Sequence, residues 1–457
     1  MNTQGKYWIT EWQPDDPAFW NGGGKRVAWR NLAWSILAEN VGFSVWLVWS
    51  VVAARLKQAG FTYSTDQLFQ LVAIPGLIGA LMRFPYTFAV PKFGGRNWTI
   101  VSALLLLIPA LSLVYLVQRP DTPFWLMATA AATAGLGGGN FSSSMANISF
   151  FFPDGEKGFA LGLNAAGGNI GVSTVQLLVP IVVGFAVLPG ASAKGPHLEN
   201  AGLMWLPLII VAALGAALFM NNLTTAKSSF KDQVVVAQRG HTWIMAWLYI
   251  GTFGSFVGFS AAFPLLLKTQ FPEVNSNLAF LGALVGSIAR PIGGKLADRL
   301  GGARVTFWNF AAMTLASLGL LWSLQMHSFE AFMTAFLFLF MTSGVGNGST
   351  FRMIPVIFRT YHLQRAAGRG AEAEAAAISV ARRETAAVIG IAAAIGALGG
   401  YFIPRAFGAS IKATGGPSLA ITYFVVFYMT CVATTWWCYL RRSFLVERLP
   451  SLAGAGA

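Results

Sequence analysis

Long apolar runs alternate with short polar loops along the whole chain. Each run has about the twenty residues that an α-helix needs to cross a lipid bilayer. The pattern predicts an all-α membrane protein with twelve membrane-spanning helices. The predicted spans are 31–55, 67–91, 98–118, 123–151, 158–188, 202–221, 241–267, 276–296, 305–325, 330–358, 385–409 and 418–440.

Three short motifs occur once in each half of the chain, at offsets between 207 and 216 residues. They are Val-Gly-Phe-Ser at 41–44 and 257–260, an arginine eleven residues before a Gly-Gly pair at Arg83 and Arg290, and glycine-rich stretches at 135–139 and 344–348. Their agreement predicts a duplication into two pseudo-symmetric six-helix bundles. In transporters built from such repeats, the substrate site lies near the midplane at the interface between the repeats.

The duplication predicts five regions. They are an N-terminal segment at 1–30, a first bundle at 31–221, a polar linker at 222–240, a second bundle at 241–440 that contains a polar insert at 359–384, and a tail at 441–457. The insert is rich in alanine, arginine and glutamate, and it predicts an amphipathic helix in the cytoplasm.

Composition and charge agree with the membrane class. Only 11% of the residues are charged, whereas soluble domains have about 25%. With the N-terminus in the cytoplasm, 21 of the 31 lysines and arginines fall on the cytoplasmic side and seven on the other. Because cytoplasmic loops carry the excess of positive charge, the net charge of +14 indicates topology, with both termini cytoplasmic, and does not indicate nucleic-acid binding.

The sequence shows no sign of catalytic, metal or cofactor chemistry in its spans. Two cysteines, Cys431 and Cys438, lie in the last span and do not predict a disulfide framework or a metal site. No nucleophile–base pair and no cofactor motif occurs there either. We therefore expect no enzyme activity, no cofactor and no metal.

Three arginines, Arg83, Arg290 and Arg352, lie inside predicted spans. A guanidinium is costly in hydrocarbon and cannot lose its charge. Because the repeat relates Arg83 to Arg290, we expect both to hold one small planar anion, whose oxygens match two guanidinium forks. Repulsion between them in the empty carrier would oppose closure, which predicts anion exchange. The alternative is that both side chains extend to the cytoplasmic surface.

Glu39 is the one acidic residue placed in the interior of a span, and Arg352 has a similar predicted depth. One hypothesis is an ion pair between them, which would neutralise both charges. The other is a Glu39 that takes up a proton. Phe141 and Phe253, beside glycine-rich or polar span sequence, are candidates for a ring pair around a flat anion.

Several segments resemble the nitrate/nitrite porter family of the major facilitator superfamily. The stretches GLGGGNFSSSMANISFFF at 135–152 and GVGNGSTFRMIPVIF at 344–358 are similar to its paired signatures. GGKLADRLGG at 293–302 looks like the loop motif of the superfamily. EWQPDDPAFW at 11–20 and ALGLNAAGGNIG at 160–171 are also similar to the family.

The resemblance implies twelve helices in two bundles and transport of nitrate and nitrite. It implies that Arg83 and Arg290 bind the anion, that Asn169 and Tyr249 assist, and that Phe141 and Phe253 flank it. The leading interpretation is an antiporter that admits nitrate and expels nitrite across the bacterial inner membrane, in nitrate assimilation or anaerobic respiration. We expect a monomer surrounded by membrane lipid.

The charged residues Glu39 and Arg352 depart from the exchanger branch of the family, which has uncharged residues there. A proton-coupled nitrate symporter that uses Glu39 is therefore the alternative. Two further hypotheses are an anion channel and a nitrate sensor that signals through the insert at 359–384.

Overall fold

The computed structural model describes residues 3–4, 7–188, 195–226 and 235–441. Contacts divide the chain into two compact units. Unit 1 contains Met1–Ser228, Gly258–Leu284 and Gly400–Ala413, and unit 2 contains Ser229–Val257, Val285–Gly399 and Thr414–Ala457. Residues 227–234 of the predicted linker and 442–457 of the predicted tail lie outside the described residues. The predicted region boundaries stay a prediction.

The first half of the chain is mainly helical. Its helices are α1 (Pro17–Phe19), a π turn (Trp20–Gly24), α2 (Lys25–Trp46), α3 (Val48–Val52), a 3-10 segment (Ala53–Ala59), α4 (Thr65–Phe93), α5 (Gly95–Leu105), α6 (Leu107–Leu116), α7 (Phe124–Phe151), α8 (Asp154–Val182), α9 (Asn200–Leu203) and α10 (Trp205–Phe219). Three two-residue strands accompany them: β1 (Thr3–Gln4), β2 (Trp8–Ile9) and β3 (Asn222–Leu223).

The second half contains longer helices. They are α11 (Gly240–Tyr249), a π turn (Ile250–Gly254), α12 (Ser255–Gln270), a 3-10 turn (Ser276–Ala279), α13 (Phe280–Leu300), α14 (Gly302–Gln325), α15 (Phe329–Ala366), α16 (Ala371–Ala397), α17 (Gly399–Thr414), α18 (Ser418–Thr435) and a final π turn (Trp436–Leu440).

Ten helical segments in the described part of the chain are long and apolar enough to cross a membrane. Two more long helices, α7 and α13, stand at the positions predicted for the fourth and eighth spans. Helix α7 is rich in glycine and serine, and α13 contains four charged residues, so both are less apolar than the rest. With these two helices the number of spans is twelve, as predicted.

The insert at 359–384 does not form the separate amphipathic helix that the sequence predicted. Residues 359–366 continue α15, and residues 371–384 are the beginning of α16. Gly368 and Gly370, with φ of 77° and 93°, interrupt the helix between them. Glycine adopts positive φ at little steric cost, so these two positions supply the break, and the polar residues extend two spanning helices.

The N-terminal segment packs against the end of unit 1 where α7 ends and α8 begins. Strand β2 pairs with β1 in antiparallel and with β3 in parallel orientation. The Trp12 indole donates to the carbonyl of Phe151 at 3.1 Å, and the Trp20 indole donates to Glu156 at 3.2 Å. Both tryptophans are buried, so this segment closes the core at that end of the bundle.

Helix α4 has well-defined ends. At its start Ser64 Oγ accepts from the backbone N–H of Gln67 at 3.2 Å, and Gln67 Oε1 accepts from the N–H of Ser64 at 2.9 Å. This reciprocal capping satisfies two backbone donors. The helix stops before Gly94, whose φ is 86°. Arg83 therefore lies about two-thirds of the way along a helix whose two ends are well defined.

Candidate functional site

Arg83 is enclosed within unit 1. Its side chain is fully buried, and Nε donates to the carbonyl of Gly138 on α7 at 3.1 Å. The guanidinium carbon lies 4.6 Å from the ring centre of Phe141 and 5.6 Å from that of Trp46. A cation on aromatic faces is stabilised by the ring quadrupole. The structure thus brings together the predicted residues Arg83 and Phe141, and it adds Trp46.

Glycines permit this close packing of α2, α4 and α7. A Cβ on Gly138 would lie 2.8 Å from Cα of Gly79 and 2.7 Å from the Trp46 ring. A Cβ on Gly79 would lie 2.5 Å from Trp46 Nε1, which donates to the carbonyl of Pro75 at 2.7 Å. Small residues let membrane helices approach to backbone contact. The glycine-rich stretch therefore allows the aromatic rings to reach the guanidinium.

Asn169 on α8 is fully buried in unit 1. Within the part of the chain that the structure describes, neither its Nδ2 nor its Oδ1 has a hydrogen-bond partner. Leaving a buried polar group unpaired costs about 1–3 kcal/mol. Such an amide is suited to a polar ligand, as the family resemblance implied for Asn169.

Arg290 on α13 belongs to unit 2 and is 5% exposed. Its guanidinium carbon lies 5.7 Å from the ring centre of Phe351 on α15. A Cβ on Gly348 would lie 2.1 Å from the carbonyl oxygen of Arg290, so α13 and α15 touch through their backbones here. The pairing of Arg290 with Phe351 parallels that of Arg83 with Phe141.

The sequence analysis did not select Phe351. The offset of 209 residues between the glycine-rich stretches maps Phe141 onto position 350, one residue before Phe351. This near match between Phe141 and Phe351 was the signal in the sequence from which Phe351 could have been selected. Phe253 instead stacks on Tyr249, with ring centres 5.4 Å apart and planes 19° apart, and both rings are buried. The roles predicted for Phe253 and Tyr249 stay predictions.

Asn347 is another buried amide, and the sequence analysis did not select it. It is fully buried in unit 2, and among the described residues neither Nδ2 nor Oδ1 has a partner. It precedes Gly348, which contacts the Arg290 backbone. It also lies one helical turn from Phe351 on α15. The same 209-residue offset maps it onto Gly138, the residue that accepts from Arg83.

The structure places Glu39 and Arg352 in different environments. Glu39 is fully buried in unit 1, where Asn164 Nδ2 donates to its Oε2 at 2.7 Å and the hydroxyl of Ser144 donates to the same oxygen. Arg352 forms an ion pair with Asp298, and its side chain is 49% exposed.

The prediction that Arg352 is a buried arginine was therefore wrong. Its helix, α15, extends well past the predicted end of the span, and Asp298 at the end of α13 supplies the counter-charge. The hydrogen bonds of Glu39 to Asn164 and Ser144 and the ion pair of Arg352 with Asp298 give no support to the predicted ion pair between Glu39 and Arg352.

The family profile of the Major Facilitator Superfamily matches residues 40–381. The chain is 46% identical to "Nitrate/nitrite transporter NarU" of Escherichia coli (strain K12), over 96% of this chain and 97% of that protein. It is 38% identical to "Probable nitrate/nitrite antiporter NarK2" of Thermus thermophilus, over 95% and 97%.

Among solved structures, a D-xylose-proton symporter superimposes with a TM-score of 0.67 at 14% identity, covering 94% of this chain and 99% of that one. This likeness concerns the fold alone, and it agrees with the twelve-helix prediction. The family profile and the full-length sequence similarity show that the chain belongs to the nitrate/nitrite porter family of the major facilitator superfamily.

Proposed function

We propose that this protein is a secondary transporter that exchanges nitrate for nitrite across the bacterial cytoplasmic membrane, with the anion held by Arg83 and Arg290. The observation that carries the proposal is the fully buried guanidinium of Arg83, placed on the ring of Phe141 inside a membrane bundle. Relatives named as nitrate/nitrite transporters and antiporters support the choice of substrate.

The chemistry of the site suits a small planar oxyanion. Arg83 uses Nε to hold the carbonyl of Gly138, which orients its two terminal nitrogens as one rigid fork. A guanidinium fork matches two oxygens of one anion. The amide of Asn169 offers a neutral N–H donor, and the ring of Phe141 offers a flat apolar wall. Nitrate and nitrite share one charge and a planar shape, so both fit these groups.

The repeat in the sequence supports a contribution of one arginine from each half of the chain. Two guanidinium groups directed at one anion would repel each other in an empty carrier, and a bound anion would reduce that repulsion. The loaded carrier would then reorient and the empty one would not. Because nitrate and nitrite carry the same single charge, a one-for-one exchange moves no net charge.

The direction and setting of transport form part of the proposal. The distribution of lysine and arginine, 21 against seven, supports cytoplasmic termini by the positive-inside bias. We propose that a monomer imports nitrate and exports the nitrite produced from it, in nitrate assimilation or anaerobic respiration.

Counterflow into proteoliposomes tests the exchange. The purified protein is reconstituted into vesicles loaded with nitrite, with chloride or with no permeant anion, and uptake of labelled nitrate is followed. We expect fast, saturable uptake that requires internal nitrite or nitrate. Uptake of equal rate into chloride-loaded vesicles would contradict exchange.

Two other functions predict different results for the same purified protein. An anion channel would produce single-channel currents in planar bilayers, and we expect none. A sensor that works through the polar insert would keep its flux after the insert at 359–384 is shortened. Because α15 and α16 include most of that insert, we expect shortening to reduce flux.

A further inference from the structure

A polar cavity lies in unit 1, where the 3-10 segment after α3 meets the loop between α12 and α13. Its volume is about 180 Å³, below the roughly 300–1,000 Å³ of pockets that hold drug-sized molecules. Two of the lining residues, Gln58 and Asn275, are exposed, so the cavity is open to solution. Six of its eight lining residues are polar: Arg55, Gln58, Lys268, Asn275, Ser276 and Asn277.

Arg55 and Lys268 are cations without a carboxylate partner in the described part of the chain. Arg55 donates from Nη1 to the carbonyl of Val51 at 3.2 Å and from Nη2 to Oδ1 of Asn277. Lys268 donates to the carbonyl of Pro272 at 3.4 Å. A guanidinium has five N–H donors and an ammonium has three. These three hydrogen bonds therefore leave five of the eight donors for water or a ligand.

The acidic residues that are closest in sequence to these cations do not line the cavity. Glu273, in the loop after α12, is exposed and is not a lining residue. Asp66, at the start of α4, forms an ion pair with Arg405 at 3.1 Å. Because the lining contains two cations and no acid, it favours an anion.

The cavity lies at the outer ends of two repeat-related spans. Arg55 is the last residue of the first predicted span, and Lys268 directly follows the seventh. These are the first spans of the two sequence repeats. By the positive-inside bias, this end of both spans faces away from the cytoplasm. An external anion therefore reaches the cavity from the solution.

A buried set of hydrogen bonds ties α3, α8 and α12 together below the cavity. Gln176 on α8 donates from Nε2 to the carbonyl of Ser260 on α12 at 2.7 Å and to the hydroxyl of Ser50 on α3 at 3.3 Å. All three side chains are buried. Ser50 is five residues before Arg55, and Ser260 is eight before Lys268, so this Gln176 layer lies roughly 8–12 Å deeper along the helices.

We propose that the cavity is a second anion site, which binds nitrate or nitrite at the outer surface while the Gln176 layer is closed. This inference rests on the proposed nitrate/nitrite transport, which supplies the identity of the ligand. The guanidinium of Arg55 offers a planar group for two oxygens of one anion, and Lys268 adds a second positive charge. A cleft lined by cations raises the local concentration of anions and their rate of association. The site therefore speeds the capture of dilute external nitrate.

Protection of an introduced thiol tests binding in the cavity. Gln58→Cys places the thiol in the lining, and Lys57→Cys is the matched control, because Lys57 is exposed on the same segment and does not line the cavity. Right-side-out membrane vesicles are treated with an anionic, membrane-impermeant thiol reagent at constant ionic strength. We expect nitrate to slow the labelling of Gln58→Cys and not of Lys57→Cys, and we expect Lys268→Gln to remove this protection.

Three results would overturn the outer site. They are labelling of Gln58→Cys that nitrate does not slow, equal protection of Lys57→Cys, and protection by chloride as strong as that by nitrate, since the last two indicate general screening. Binding at Arg83 is separated by adding Arg83→Lys to Gln58→Cys. We expect the nitrate concentration for half-protection to stay the same, and a shift to higher concentration would overturn a site separate from Arg83.

Nitrate uptake into nitrite-loaded vesicles of the same kind tests the capture role. In Lys268→Gln we expect the rate at low external nitrate to fall about two- to fivefold, the size of a partly exposed ion contact, with an unchanged rate at saturating nitrate. Lys57→Gln, which removes the same charge outside the cavity, should match the wild type. An unchanged rate at low nitrate in Lys268→Gln would contradict the capture role.

The two assays also distinguish failure of the outer site from failure of the proposed transport. Counterflow by the wild type together with unprotected Gln58→Cys would overturn the outer site alone. Protection of Gln58→Cys by nitrate, together with a wild type that shows no counterflow, would support the anion site and overturn the proposed exchange.

Discussion

Replacing Arg83 by lysine keeps the positive charge and removes the fork. In the structure, Arg83 Nε donates to the carbonyl of Gly138 at 3.1 Å, and in the proposed site the two terminal nitrogens bind the anion. A lysine has one nitrogen on a flexible stem. That nitrogen would be divided between the Gly138 carbonyl and the anion, so Arg83→Lys loses at least one charge-assisted hydrogen bond to the substrate.

The expected loss of nitrate affinity follows from the number of hydrogen bonds lost. A hydrogen bond to a charged group contributes about 1.5–3 kcal/mol. At 1.4 kcal/mol for each factor of ten, the nitrate affinity should fall by roughly 10- to 150-fold. The aromatic contact with Phe141 contributes little to the difference, because an ammonium is also attracted to a ring face.

Equilibrium binding by calorimetry and the nitrate concentration for half-maximal counterflow both test this prediction. Arg119→Lys is the matched control, because Arg119 is exposed and lies on the ring of Tyr115 at 3.8 Å, outside the proposed site. We expect wild-type affinity in the control. An affinity in Arg83→Lys within about threefold of wild type, below half of one tenfold step, would refute the fork argument.

Three further substitutions test other parts of the structure. Asn347→Leu keeps the branched shape of the side chain and removes a buried amide that has no partner among the described residues, so nitrate affinity should fall several-fold in calorimetry without a loss of thermal stability. Arg239→Gln leaves the side chain of Glu384, which is 6% exposed, without its arginine, and should cost about 1–3 kcal/mol, seen as a lower unfolding midpoint that the lysine variant partly restores. Gly138→Ala should abolish folding or transport, because its Cβ would lie 2.8 Å from the backbone of α4, whereas Gly162→Ala, with no atom within 4 Å of its Cβ, should express and transport as the wild type does.

Much of the fold could be predicted from the sequence, because crossing a bilayer imposes a length and an apolar composition on each helix. The ends of the helices were harder to predict. Polar residues beyond 358 suggested a separate insert, but a helix continues into water as readily as it ends at the membrane surface. Only Gly368 and Gly370, at positive φ, showed where α15 and α16 separate.

The burial of Arg83 and Arg290 could be predicted from the sequence, because each lies in the middle of an apolar span, and the structure confirms it. Their role in binding an anion stays a prediction. Partners were not predictable in the same way. Phe351 and Asp298 are separated from their arginines by 61 and 54 residues, and no local pattern distinguishes them from the other phenylalanines and acids.

The sequence by itself determined the membrane class, the number of spans, the duplication and the presence of one buried arginine in each half, because each depends on composition or on spacing along one chain. The tertiary structure decided which rings contact Arg83 and Arg290, that Arg352 pairs with Asp298 near the surface, and that Ser144 and Asn164 surround Glu39. Such contacts depend on how helices that are distant in sequence rotate and pack against one another. That packing minimises unpaired polar groups and voids over the whole bundle, which no single segment specifies.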